Sequence, residues 1–149
     1  MRGKRRTGFT LIEVLLVIFI LGMLAAFVVP RFMSAGEEAK VGLVKAAIGP
    51  SGPVAFSLDH FRLHVGRYPT SEEGLKGLVE RPDDIDEDKD LWKGPYIANV
   101  EQLKDPWQND FEYKCPGDVN TDSYDLWSNG VDGQEGTDDD IKNWKSDQD

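Results

Sequence analysis

Twelve residues near the C-terminus, from Asn129 to Asp140, hold five carboxylates: Asp132, Glu135, Asp138, Asp139 and Asp140. Like charges at this density repel unless water or a cation screens them. Gly130, Gly133 and Gly136 recur at every third position, which lets the backbone turn its carbonyls inward. Ile141 and Trp144 follow and can anchor the far end of the loop to an apolar core. Oxygen donors in a flexible loop suit a hard cation. Calcium accepts about six to eight oxygens in irregular geometry, whereas magnesium demands a tighter octahedron and keeps its waters. Zinc would want imidazole or thiolate, and the loop has no histidine or cysteine. The plain alternative is a solvated acidic surface, as charge runs usually are.

Four other places hold groups able to do chemistry. Glu13 stands inside the apolar run from Phe9 to Val29, where an ionisable side chain is expensive and a functional role is the first hypothesis. His60 and His64 are four apart and share one face of a helix. Two ligands are a weak basis for a metal site, and they read as helix-surface histidines. Asp118, Asn120 and Asp122 open like an EF-hand loop, but position six is Ser123 in place of glycine and position twelve is Asn129 in place of glutamate. That segment reads as a turn between strands. Cys115 is the only cysteine, so no intramolecular disulfide can form. No serine or cysteine stands with a histidine and an acid at a familiar spacing, and no glycine loop is built for phosphate. The chain is not read as an enzyme.

These groups need elements to hold them. Phe9 to Val29 is apolar apart from Thr10 and Glu13, and as a helix it spans about 31 Å, roughly the hydrocarbon thickness of a bilayer. Arg2, Lys4, Arg5 and Arg6 precede it, and no acid precedes Glu13. The whole chain of 149 residues carries a net charge of −10; without residues 1–8, 13 basic and 27 acidic residues leave −14. A basic leader before an acidic body fits a body exported across the membrane, and an acidic body does not suit nucleic acid. Beyond Pro30 the helical pattern continues through Phe32, Ala35, Ala39, Leu43 and Ala46. Gly49-Pro50-Ser51-Gly52-Pro53 predicts a kink or unwinding, with Pro53 opening a new helix whose stripe is Val54, Leu58, Phe61 and Val65. Thr70 and Glu73 have the form of a capping box before a short helix through Leu75, Leu78 and Val79. Tyr96-Ile97, Phe111–Cys115 and Tyr124–Trp127 are the expected strands.

Gly8-Phe9-Thr10-Leu11-Ile12-Glu13, behind a short basic leader and before an unbroken apolar run, resembles the prepilin processing motif of type IV pilins and type II secretion pseudopilins. The order Gly66-Arg67-Tyr68-Pro69-Thr70, Glu73-Gly74-Leu75, Gly94-Pro95-Tyr96-Ile97, Asp105-Pro106-Trp107, Asn129-Gly130-Val131-Asp132-Gly133 and Asp139-Asp140-Ile141 is similar to that of major pseudopilins. The Gly49–Pro53 break and the acidic loop Asp83–Asp90 depart from the family pattern. The resemblance implies an α+β, type IV pilin-like fold: a long N-terminal membrane and filament helix packed on a small antiparallel sheet head with a C-terminal calcium loop. It implies a leader over 1–8, a transmembrane and filament-core helix over 9–29, and a periplasmic head over 30–149. It implies cleavage by a prepilin peptidase between Gly8 and Phe9, methylation of Phe9, and pairing of Glu13 with the Phe9 amino group during assembly. It implies Ca2+ held by side-chain oxygens of Asp132, Asp139 and Asp140 and by main-chain oxygens of Asn129, Gln134 and Thr137. Its implied function is that of a structural subunit of a periplasmic pseudopilus driving export of folded proteins. The partners would be further copies in a helical homopolymer, other pseudopilins and inner-membrane secretion platform proteins. Two alternatives are a type IV pilin or competence pseudopilin in adhesion or DNA uptake, and a membrane-anchored calcium-dependent binding module. The pilins of the first typically close a C-terminal disulfide loop, which one cysteine cannot make.

Overall fold

Leu11 opens the long helix α1, which runs Leu11–Ile48. The structure, a computed structural model, describes residues 10–145, with the side chains of residues 27–35 and 87 outside that description. The chain divides into two units, residues 1–39 and 40–149. In the first, the large apolar side chains from Leu11 to Leu24 are 47–84% exposed. The helix passes through Pro30, whose ring gives up the one backbone hydrogen bond that would reach Ala26.

In the second unit, Val44 and Ile48 of α1 are buried in the core. The helix then stops, as the glycine–proline segment predicts. The amide of Gly49 still donates to the Lys45 carbonyl at 3.0 Å, and that of Gly52 donates to Gly49 at 2.8 Å. Helix α2 restarts at once over Pro53–Val65, with Pro53 in its first turn and Gly66 ending it in the left-handed region. Proline fits there because a first-turn amide has no intrahelical acceptor to lose. Val54, Leu58 and Phe61 of α2 are buried. Residues Gly36–Val65 have a mean hydropathy of 1.3 and the length of a membrane span. Burial of Val44, Ile48, Val54, Leu58 and Phe61 makes the paired helices a core element instead. Among the described residues, Leu11–Ala26 is the apolar segment that buries none of its side chains.

The sheet is antiparallel in the order β1-β2-β3, with β1 at Glu112–Lys114, β2 at Asp125–Ser128 and β3 at Ile141–Lys142. Tyr113 faces Leu126, and Ser128 faces Ile141. The α+β architecture of a long helix with a small antiparallel sheet is the one expected. Two details differ. Tyr96-Ile97 is not a strand: both amides donate to the Leu78 carbonyl, at 2.7 and 3.3 Å, and the third strand comes from beyond the acidic loop. The helix after Thr70 is a single 3-10 turn over Leu75–Leu78. The capping box itself forms, since the Thr70 amide donates to Glu73 Oε2 at 2.6 Å and the Glu73 amide to Thr70 Oγ1 at 3.2 Å. Extension of the turn is blocked because Trp92 Nε1 takes the Gly77 carbonyl at 3.0 Å and Tyr96 takes that of Leu78, so tertiary bonds replace helical ones.

Candidate functional site

The acidic loop connects β2 to β3, so sheet pairing brings its two ends together. Its near end is pinned by a residue that sequence patterns did not single out as functional. Asp105 is 2% exposed; its Oδ1 accepts from the amides of Trp107 and Asn109, both at 2.9 Å, and its Oδ2 accepts from the Ser128 hydroxyl at 2.7 Å. Ser128 Oγ in turn accepts from the Gly130 amide at 3.2 Å, and Asn109 Nδ2 donates to the Gly130 carbonyl at 3.1 Å. The advance sign was its place in Asp105-Pro106-Trp107, one of the segments similar to those of major pseudopilins. At the far end Ile141 is buried, Trp144 meets Trp127 edge-on at 6.0 Å, and the Asn143 amide donates to the Leu126 carbonyl at 2.9 Å. The aromatic and aliphatic anchors expected at Ile141 and Trp144 are therefore in place.

Inside the loop, Gly130 adopts φ +62°, and a β-carbon there would run into the carboxylate and main chain of Asp139. The Thr137 hydroxyl lies 2.6 Å from Asp139 Oδ1, 3.4 Å from Asp132 Oδ1 and 3.2 Å from the Gln134 carbonyl. One hydroxyl proton can satisfy one of these three oxygens. Asp139 Oδ2 also accepts from the Asp132 amide at 3.1 Å, and its carboxyl is held below the usual range, first by the Thr137 hydroxyl and then by that amide. Asp140 is placed apart from this trio. Its side chain is 2% exposed; Oδ2 accepts from the Gly136 amide at 2.9 Å and pairs with Lys142 Nζ at 3.3 Å. Its Oδ1 is buried without a hydrogen-bond partner. The Asn129 carbonyl accepts from the Gly133 amide at 3.1 Å and the Thr137 carbonyl from the Asp140 amide at 3.3 Å.

The structure thus gathers Asp132, Gln134, Thr137 and Asp139 and leaves Asn129 and Asp140 at the margins. Among the described residues no three acidic, histidine or cysteine side chains converge as a metal cluster. The acceptor count nevertheless fits a hard cation. Asp132 Oδ1 takes the Gln134 amide at 2.8 Å, but Asp139 Oδ1 and the Gln134 carbonyl share the single Thr137 proton, and the buried Asp140 Oδ1 has no donor. His64 Nδ1 lies 3.0 Å from the Tyr96 hydroxyl and His60 stacks on Phe56 at 4.2 Å, which fits surface histidines. The Asp118–Asp122 segment is a turn before β2, its amides at Val119 and Asn120 donating to Asp125 at 2.9 Å.

At the other terminus, Gly8 and Phe9 lie outside the described residues. Glu13 Oε2 accepts from the Thr10 amide at 2.8 Å and the Thr10 hydroxyl at 2.9 Å, while the Glu13 amide donates to Thr10 Oγ1 at 3.3 Å. This is a reciprocal cap on α1, and it gives Glu13 a neutral partner within its own chain.

Residues 31–144 match the family described as "Type II secretion system (T2SS), protein G", and residues 3–29 match the prokaryotic N-terminal methylation motif. This chain belongs to the protein G family of the type II secretion system. The type II secretion system core protein G of Aeromonas hydrophila is 41% identical over 144 residues, covering 97% of this chain and 96% of the relative. That of Pseudomonas aeruginosa is 40% identical over 147 residues, covering 97% and 99%. The crystal structure of the major pseudopilin from the type 2 secretion system of enterohaemorrhagic Escherichia coli superposes with a TM-score of 0.61 at 32% identity, covering 75% of this chain and 88% of that one.

Proposed function

We propose that this chain is a structural subunit of a pseudopilus, inserted in the inner membrane by its N-terminal helix and then drawn into a periplasmic helical homopolymer that moves folded proteins outward. The observation that carries it is the apolar surface from Leu11 to Leu24, 47–84% exposed in the single chain. Such a surface needs lipid first and neighbouring helices afterwards. Glu13 sits near the start of that surface. Cleavage after Gly8 by a prepilin peptidase would free an amino group on Phe9, and a carboxylate in hydrocarbon calls for such a cationic partner. Pairing with the Phe9 amine of the same or a neighbouring chain sets the axial register. Other pseudopilins and the inner-membrane secretion platform are its expected partners. Crosslinking the intact protein in membranes of its native host gives a ladder of multimers. Glu13→Leu inserts normally but yields neither ladder nor secretion; secretion at the normal level by Glu13→Leu would sink the assembly role.

The head is proposed to hold Ca2+ in the acidic loop, through side-chain oxygens of Asp132, Asp139 and Asp140 and main-chain oxygens of Asn129, Gln134 and Thr137. When bound, calcium would neutralise the carboxylates and tie the segment before Asp132 to the one after Thr137. What supports the reading is the surplus of acceptors around Thr137 and the orphaned Oδ1 of buried Asp140. Binding to the folded form alone stabilises it by mass action, about 2.7 kcal/mol at a hundredfold excess over Kd. The full chain in detergent, stripped of metal, should melt higher in millimolar calcium than in chelator. Asp132→Ala and Asp140→Ala should each erase that difference. Superimposable melting curves for the parent chain would remove calcium from the account.

A further inference from the structure

We propose that Lys142 is a built-in cation of the acidic loop, competing with calcium for Asp140 and so setting how tightly the loop binds the ion; this rests on the calcium reading above. Lys142 lies on β3, directly after the loop closes. Its Nζ stands 3.3 Å from Asp140 Oδ2 and 5.9 Å from the centroid of the Trp144 ring. Among the described residues, Asp140 is the one carboxylate of the proposed set with a recorded ion pair. The stem of Lys142 and the indole of Trp144 border a cleft of about 200 Å³ together with Asp140, Glu135 and Trp127.

A buried carboxylate without a counter-charge is unfavourable. Lys142 meets that need at Oδ2, while Oδ1 has no hydrogen-bond partner. When a divalent cation is held by Asp140, the ammonium is left a few ångströms from a like charge, and repulsion at that distance is strong even at high effective dielectric. Lys142 therefore stabilises the empty loop and weakens the filled one. The other nearby lysines do not share this position. Lys114 is paired with Asp118 at 2.6 Å. Lys45 lines a groove of about 680 Å³ together with Asp138, Asp139, Asp140 and Lys142, but among the described residues it is Lys142 that stands at ion-pair distance from Asp140. The ring of Trp144 offers Lys142 a second resting place by cation–π attraction, so the ammonium can leave Asp140 without returning wholly to water.

The test uses the full chain in detergent, stripped of metal, and calcium chloride as the probe. Calcium affinity is read by isothermal titration calorimetry, and thermal unfolding is followed with chelator and with calcium. Lys142→Met keeps the aliphatic stem and removes the charge; Lys142→Gln replaces it if the methionine variant does not fold. The neutral variant should bind calcium about tenfold more tightly than the parent at low salt, with the gap narrowing as salt rises. It should melt lower than the parent in chelator, so that its calcium-induced rise in Tm is the larger of the two. Lys142→Arg should restore both the parent affinity and the parent Tm in chelator. A neutral variant that binds calcium with the parent affinity overturns the role of Lys142 and leaves the calcium site standing. Binding by the neutral variant alone supports it. Absence of binding in both proteins overturns the calcium reading and this one with it.

Discussion

Glu73 shows how one side chain can carry several duties. Its carboxylate caps the turn after Thr70 and accepts both guanidinium nitrogens of Arg67 at 2.7 Å. Burial pushes this carboxyl up, but the bonds from Arg67, Asp84 and the Thr70 amide outweigh it and hold it down from 4.5 to about 2. A depressed folded pKa contributes stability above the unfolded value that is lost as pH falls through the folded one. Between about pH 4.5 and 2 the head should therefore lose stability through Glu73. Asp84 moves upward, first through the hydrogen bond it shares with Glu73, and offsets part of that loss. Glu73→Gln should lower Tm at pH 7 and flatten its fall across the acid range; an unchanged acid slope in Glu73→Gln would show that other carboxylates govern it. Tyr113 and Tyr124 are also pushed upward, burial being the main cause. Neither titrates at physiological pH, and Tyr113 serves as a donor to the Pro69 carbonyl at 2.8 Å.

At the scale of elements, the break between α1 and α2 is built by sequence and sealed by sterics. Gly52 is buried, and a β-carbon on it would meet the carbonyl oxygens of Ala46 and Ala47. The backbone of the last turn of α1 thus occupies the space that any other residue would need. Gly52→Ala should destabilise the head by about 2–3 kcal/mol, read as a shift in the urea midpoint with m unchanged. A midpoint within error of the parent would mean the junction can relax and is no fixed corner. The same logic of closure holds for the sheet. Strands of three, four and two residues are too short to stand alone. They persist because Leu126 and Ile141 are buried in the core with Phe61 of α2.

For the whole molecule, the proposed removal of residues 1–8 would change the charge: it would take four basic residues and move the chain from −10 to −14. The methylation motif matched over residues 3–29 supports removal of residues 1–8. Mass spectrometry of the protein from its native host should find an N-terminus at Phe9 carrying one methyl group. An N-terminus at Met1 would end the prepilin reading. The acidic heads would repel in a filament, so calcium would lower that repulsion as well as stabilise each head, and its two effects separate by comparing melting with crosslinking.

Local pattern was enough for the helix from Leu11, the break at Gly49–Gly52, the restart at Pro53 and the cap at Thr70 and Glu73. Those features depend on residues three or four apart, or on backbone geometry that proline and glycine impose wherever they stand. The composition of the acidic loop was legible for the same reason, as was the N-terminal motif. What tertiary structure decided was pairing across long separations. Tyr96 and Ile97 look like a strand, but their amides are claimed by Leu78, and Ile141-Lys142, too short to declare itself, becomes the third strand because β2 offers it a partner. Asp105 stands in the sequence only as part of a family-like segment; folding brings it to Ser128, where a buried carboxylate fixes the mouth of a loop more than twenty residues away. The placement of Lys142 on Asp140 likewise follows from β3 closing onto β2, which pairs Lys142 with Trp127 and leaves Asp140 in the loop immediately before the strand.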